Sequence, residues 1–105
     1  MGARDLRNMM KEAQRLQAEV AENQRKLGEA RVEATAGGGV VKAIVTGQGE
    51  LIKVEISPEV ARPEDAELLS DLVVAAVQEA QTKAKELAQQ TMAPLARFLP
   101  PGFTV

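Results

Sequence analysis

Apolar residues recur every three or four positions at the start of the chain. Leu6, Met9, Ala13, Leu16, Val20, Asn23 and Leu27 form a heptad-type seam in which only Asn23 is polar. This spacing predicts one helix over residues 3–28, with Gly28 as its C-cap. At 1.5 Å per residue it would run about 39 Å. A compact chain of this size has a radius of gyration of only about 13 Å, so the helix should project. Asn23 fits either a water-facing position or a register-setting one.

The period then changes from 3.6 to 2. Residues 30–36 alternate, with Ala30, Val32 and Ala34 on one side and Arg31, Glu33 and Thr35 on the other. Residues 40–46 (VVKAIVT) carry apolar side chains on both faces, as a central strand does. Residues 50–56 alternate again, with Ile52, Val54 and Ile56 together. Gly37-Gly38-Gly39 and Gly47-Gln48-Gly49 separate the three runs. Short glycine loops between alternating runs predict an antiparallel meander.

Ser57-Pro58 ends the sheet, and a second helix is expected over residues 64–93. Glu64, Asp65 and Glu67 suit its first turn, where the helix dipole favours carboxylates. Leu68, Leu69, Leu72, Val73, Ala76, Val77, Ala80, Ala84 and Leu87 give it a wide apolar face. Pro94 should stop it, leaving residues 94–105 irregular. The fold class is therefore α+β, in the order α-β-β-β-α, as a single domain over residues 1–105. Such a small sheet leaves one face and two edges open. Val40 and Val41 point opposite ways, which suggests that both faces are used. A homodimer packing across a two-fold axis is the expected solution.

Composition narrows the chemistry. The 105 residues include no Cys and no His. That removes thiol catalysis, Ser-His-Asp triads and His-zinc sites, and leaves a non-enzymatic module as the expectation. The triple glycine lacks the Gly-Lys-Ser/Thr that completes a phosphate loop and precedes a strand, so it reads as a hairpin turn. Glu64, Asp65, Glu67 and Asp71 lack the spacing of a loop-type metal site. No cofactor, metal or small-molecule substrate is expected. No apolar run reaches the ~18 residues of a membrane span. The charged N-terminus is not followed by a signal-peptide core, so a cytoplasmic location is expected.

Charge is distributed unevenly. Net charge is −2. Residues 1–31 hold seven Lys/Arg against five Asp/Glu, whereas residues 50–71 hold two against seven. At 100° per residue, Arg4, Arg7, Lys11 and Arg15 fall within about 80° of one another, opposite the seam. Asp5, Glu12 and Glu19 lie between stripe and seam. Glu22 interrupts the stripe and Arg25 resumes it. The four cations span about 16 Å of axis, which suits successive duplex phosphates. A solvated helix face explains the same pattern. Single-strand and RNA modules stack bases on aromatic side chains. Here the only aromatics are Phe98 and Phe103, off the predicted strands. Backbone contact with duplex DNA is thus the nucleic-acid reading that fits.

Several ordered segments carry a resemblance. They are Met9–Gln14 (MMKEAQ), Ala36–Lys42 (AGGGVVK), the glycine turn before Glu50-Leu51, Ile56-Ser57-Pro58, and LVVAAVQEA from Leu72 to Ala80. Together, over about residues 3–93, the chain resembles the YbaB/EbfC nucleoid-associated proteins of bacteria. The resemblance implies a helix, three-strand, helix protomer in an intertwined homodimer with projecting helices. It implies duplex DNA as partner, low sequence specificity, a nucleoid location and an influence on gene expression. Carried onto this chain, it points to Arg4, Arg7, Lys11 and Arg15, and secondarily to Lys83 and Lys85. The alternative is a chaperone-like or adaptor dimer whose helices grip another protein without DNA.

Overall fold

Alternating Val, Ala and Ile favour pleated backbone, and in the computed structural model, which describes residues 2–96, they form three strands. These are β1 (Arg31–Ala36), β2 (Val41–Thr46) and β3 (Leu51–Ile56), flanked by the helices α1 (Ala3–Glu29) and α2 (Ala66–Ala96). The sheet is antiparallel in the order β1-β2-β3. Across it, Ala34 pairs with Ala43 and Ala43 with Val54. The β2–β3 register shifts between Ile44 and Val45, which brings Val45 opposite Leu51.

The core lies between one sheet face and α2. Ala34, Val41, Ala43 and Val45 are buried against Ala76, Ala80 and Ala84, which recur at four-residue intervals on α2. Three alanines in a row let the helix backbone settle close to the sheet, so the core needs no aromatic residue. The wide α2 face predicted from sequence is only partly covered: Leu69, Leu72, Val73 and Val77 pack beside the core, while Leu68 remains exposed.

Among the described residues nothing covers the outer sheet face. Lys42 sits between Glu33 (3.7 Å) and Glu55 (3.8 Å), and Lys53 lies 3.4 Å from Glu55. Val40 belongs to the turn and not to β2, so the Val40–Val41 pair does not sample two faces.

The β1–β2 connection runs through the left-handed region at three successive glycines, with φ of 66°, 73° and 98° at Gly37, Gly38 and Gly39. A Cβ on Gly37 would also lie 2.8 Å from Val40 Cγ2 and 3.0 Å from Leu72.

Each strand begins one residue later than expected, and three helix boundaries also differ from the sequence expectations. Gly28 is not the C-cap: α1 continues to Glu29 and Gly28 is not among the positive-φ glycines. The Ala30 amide caps the helix by donating to Lys26 and Leu27 carbonyls, and Arg31 Nη1 donates to Gly28 O and Ala30 O, both at 3.1 Å. α2 begins at Ala66, because Pro63 opens a single 3-10 turn over Pro63–Asp65. Pro94 does not stop α2, which runs to Ala96. A proline removes one rung and crowds the carbonyl four residues back, but later amides can still bond backwards. The irregular tail expected beyond residue 96, with Phe98 and Phe103, lies outside the described residues.

Candidate functional site

α1 is anchored at one end only. Leu27 is its one buried residue among those described. Gly47 N–H donates to Leu27 O at 2.8 Å, and Gln48 Nε2 donates to Gln24 O at 2.9 Å, so the β2–β3 turn clasps the last turns of the helix. Gly47 is required there, since a Cβ would stand 2.7 Å from Leu27 O. Leu16, Val20 and Asn23 are half-buried where α1 passes the C-terminal part of α2, and Asn23 shares a shallow cleft with Thr91. Residues 2–15 are exposed throughout. The helix therefore projects, and the molecule measures 74 × 24 × 16 Å with a radius of gyration of 20.1 Å.

Among the described residues nothing covers the seam residues nearest the tip. Leu6 and Met9 are 54% and 57% exposed. A second uncovered apolar group, Leu51, Ile52 and Ile56, lies on the edge strand β3. Exposed apolar surfaces and open sheet edges of this kind commonly mark places where another chain packs.

On the opposite side of α1, Arg4, Arg7 and Lys11 are exposed, and among the described residues none forms a salt bridge. Helical spacing explains this. Three and four residues from each stand only Ala, Asn, Met, Gln or another cation. Arg4–Arg7, Arg7–Lys11 and Lys11–Arg15 are like-charge pairs at helical spacing, and each opposes the helix by about 0.2–0.5 kcal/mol. An anion laid along this side would relieve the repulsion.

Arg15 is placed differently. Its guanidinium pairs with both Glu12 and Glu19, with Nε 3.3 Å from Glu12 Oε2. Those contacts hold the Glu12 carboxyl below the usual carboxylate range, chiefly through the Arg15 hydrogen bond, and raise Arg15 above its ordinary value. The same arrangement recurs ten residues on, where Arg25 lies 2.6 Å from Glu22 and 2.8 Å from Glu29. The angular reading put Glu12 and Glu19 beside the stripe without pairing them to Arg15. The signal was the spacing E-x-x-R-x-x-x-E, which sets a carboxylate one turn to either side of an arginine.

Lys83 and Lys85 do not join the α1 stripe. Lys83 Nζ reaches Glu33 O on edge strand β1 at 3.5 Å and lies 4.0 Å from Glu79. Lys85 lines a cleft of about 390 Å³ at the root of α1 with Gln24, Leu27, Gln48 and Met92. Among the described residues no His/Cys/Asp/Glu group of three or more could hold a metal ion, and no helix is long and apolar enough to cross a membrane.

The acidic charge sits at the other end. Gly37 contacts Leu72 near the start of α2, whereas Gly47 contacts Leu27 at the root of α1. The two turns lie at opposite ends of six-residue strands, about 20 Å apart. Glu55, Glu59, Glu64, Asp65, Glu67 and Asp71 therefore belong to the end remote from α1. At physiological salt the screening length is about 8 Å, so the acidic end has little effect on an anion approaching the tip.

A model of the YbaB/EbfC DNA-binding family matches residues 1–99. A nucleoid-associated protein of Streptomyces avermitilis is 46% identical over 101 residues, covering 96% of this chain and 89% of the relative. One from Moorella thermoacetica is 45% identical over 104 residues, covering 98% of this chain and all of the relative. The fold is also similar to the crystal structure of an uncharacterized protein from Helicobacter pylori, with a TM-score of 0.73 at 19% identity, over 91% of this chain and 98% of that one.

Proposed function

The chain belongs to the YbaB/EbfC DNA-binding family, and from that premise we propose that it is a nucleoid-associated protein that holds duplex DNA by its phosphates. The observation that carries this reading is the outer part of α1. It is a projecting rod whose cations, Arg4, Arg7 and Lys11, face solvent with no carboxylate against them among the described residues. Arg15 adjoins them but is held by Glu12 and Glu19, and Lys83 and Lys85, which lie on α2 away from the stripe, are not needed for this contact. A phosphate lattice relieves the like-charge repulsion along the stripe and releases counterions, whatever the base sequence. The chain offers no aromatic platform among the described residues for stacking unpaired bases. Low sequence specificity follows from contact with backbone alone.

The working unit is a homodimer. Leu6 and Met9 on α1 and Leu51, Ile52 and Ile56 on β3 are apolar surfaces that a second copy would cover. The dimer would present two cationic rods, one from each copy. Light scattering with and without a duplex reads both the subunit number and complex formation.

Gel-shift titration on two duplexes of unrelated sequence tests the reading. Replacing Arg4, Arg7 and Lys11 together by Ala should weaken binding to both duplexes equally while the dimer persists. A second reading, a dimer that grips another protein through the exposed Leu6–Met9 seam, predicts no shift at micromolar protein in physiological salt.

A further inference from the structure

The pairing of Arg15 sets a boundary along α1. Residues 2–11 carry three cations and one carboxylate. Residues 12–29 carry three cations and four carboxylates, and two of those cations, Arg15 and Arg25, are each held between two glutamates. A phosphate reaching Arg15 meets Glu12 and Glu19 already on the guanidinium, at exposed positions on either side. It must displace a carboxylate and then lie beside it. Arg7 and Lys11 impose no such exchange.

Building on the DNA-binding reading, we propose that Glu12 and Glu19 are specificity-determining residues for the length of contact. By occupying Arg15 they confine the duplex to the outer three turns of α1 and hold affinity below what a four-cation rod would give. The glutamates also support an unpacked helix as i, i+3 and i, i+4 partners, and that structural role by itself predicts nothing about the number of phosphates engaged.

The salt dependence of binding counts those phosphates. Two rods with three free cations each neutralise up to six, for a log–log slope of about −5. Releasing Arg15 on both raises this to eight and the slope to about −7. The variant E12Q/E19Q should therefore bind a 30-base-pair duplex at least about tenfold more tightly at 50 mM salt, with the steeper slope. Adding R15A to it should restore a slope of about −5. R15A alone should weaken binding by clearly less than R7A does, because Arg15 is already neutralised by Glu12 and Glu19.

The proposal is overturned if E12Q/E19Q binds with unchanged slope, if its gain survives R15A, or if R15A alone weakens binding as much as R7A. Should E12Q/E19Q lose its helix by circular dichroism, the comparison of R15A with R7A decides. A near-zero slope for the unmodified protein would instead remove the DNA-binding reading itself. That outcome is distinct from a protein that binds with a slope of about −5 and ignores Glu12 and Glu19.

Discussion

Replacing Gly47 by Ala tests how the projecting helix is held. Gly47 has no positive φ, so an alanine there meets no backbone strain. The obstacle is contact alone: its Cβ would lie 2.7 Å from Leu27 O and 3.0 Å from Leu27 Cα and Cδ2. A carbonyl oxygen within a helix cannot rotate aside. Restoring ordinary contact requires the end of α1 to back away by about 0.7 Å, as for other overpacked sites. That shift stretches the Gly47 N–Leu27 O bond from 2.8 Å to the limit of a hydrogen bond and slackens the Gln48–Gln24 bond of 2.9 Å. Overpacking costs about 1–3 kcal/mol, and each lost hydrogen bond about 0.5–1.5 kcal/mol. Taking about 2–4 kcal/mol in all, the melting temperature should fall by at least about 8 °C for a domain of this size.

Gly28→Ala, on the other side of the same junction, should do the opposite. Its Cβ would make ordinary contact with the Gln48 amide at 3.8 Å, and alanine gains up to about 1 kcal/mol over glycine inside a helix. Thermal melts followed by circular dichroism at one protein concentration compare the two. A G47A protein as stable as the unmodified one would refute the clasp between the β2–β3 turn and α1. So would a destabilised G28A.

Further outcomes follow from the same geometry. Ala80→Leu places three extra carbons between α2 and the buried Val41, Ala43 and Val45, and should cost about 1–3 kcal/mol by urea denaturation; an unchanged midpoint would show that the alanine row does not set the helix–sheet spacing. Glu12 and Glu22 titrate below their ordinary value of 4.5 through hydrogen bonds from Arg15 and Arg25. A lowered folded-state value gives stability that is present above the unfolded value and lost as pH falls through the folded one. Helicity should therefore hold from pH 7 to 5 and decline below about 4.5, and the decline should be smaller in E12Q/E22Q. R4A/R7A/K11A should leave the melting temperature unchanged or slightly raised, because it removes like-charge pairs from an exposed helix.

The order of elements was legible from periodicity: the switch from 3.6 to 2 and back marks α1, the meander and α2. The projection of α1 followed from its length alone. Its ends were less legible, because capping depends on geometry that residue type does not determine. Gly28 looked like a cap, yet Ala30 and Arg31 do that work, and Gly47 proved to be the glycine on which the junction depends. At the candidate site, angular position identified Arg4, Arg7, Lys11 and Arg15 as one stripe. It did not separate Arg15 from the rest. Long side chains reach across about 60° of helix surface to partners one turn away, and a projection by angle treats those partners as a different face. Leu68 was read as part of the wide apolar face of α2 and is exposed, since the three-stranded sheet is too narrow to cover the whole of that face.

The proposed function rests on exposed cations at the outer end of α1 holding the phosphates of duplex DNA. Binding to a 30-base-pair duplex, titrated between 50 and 300 mM salt for the unmodified protein and for R4A/R7A/K11A, tests it most directly. The log–log slope should be about −5 for the unmodified protein and fall close to zero in the variant, with the fold intact. Equal slopes for the two proteins would contradict it.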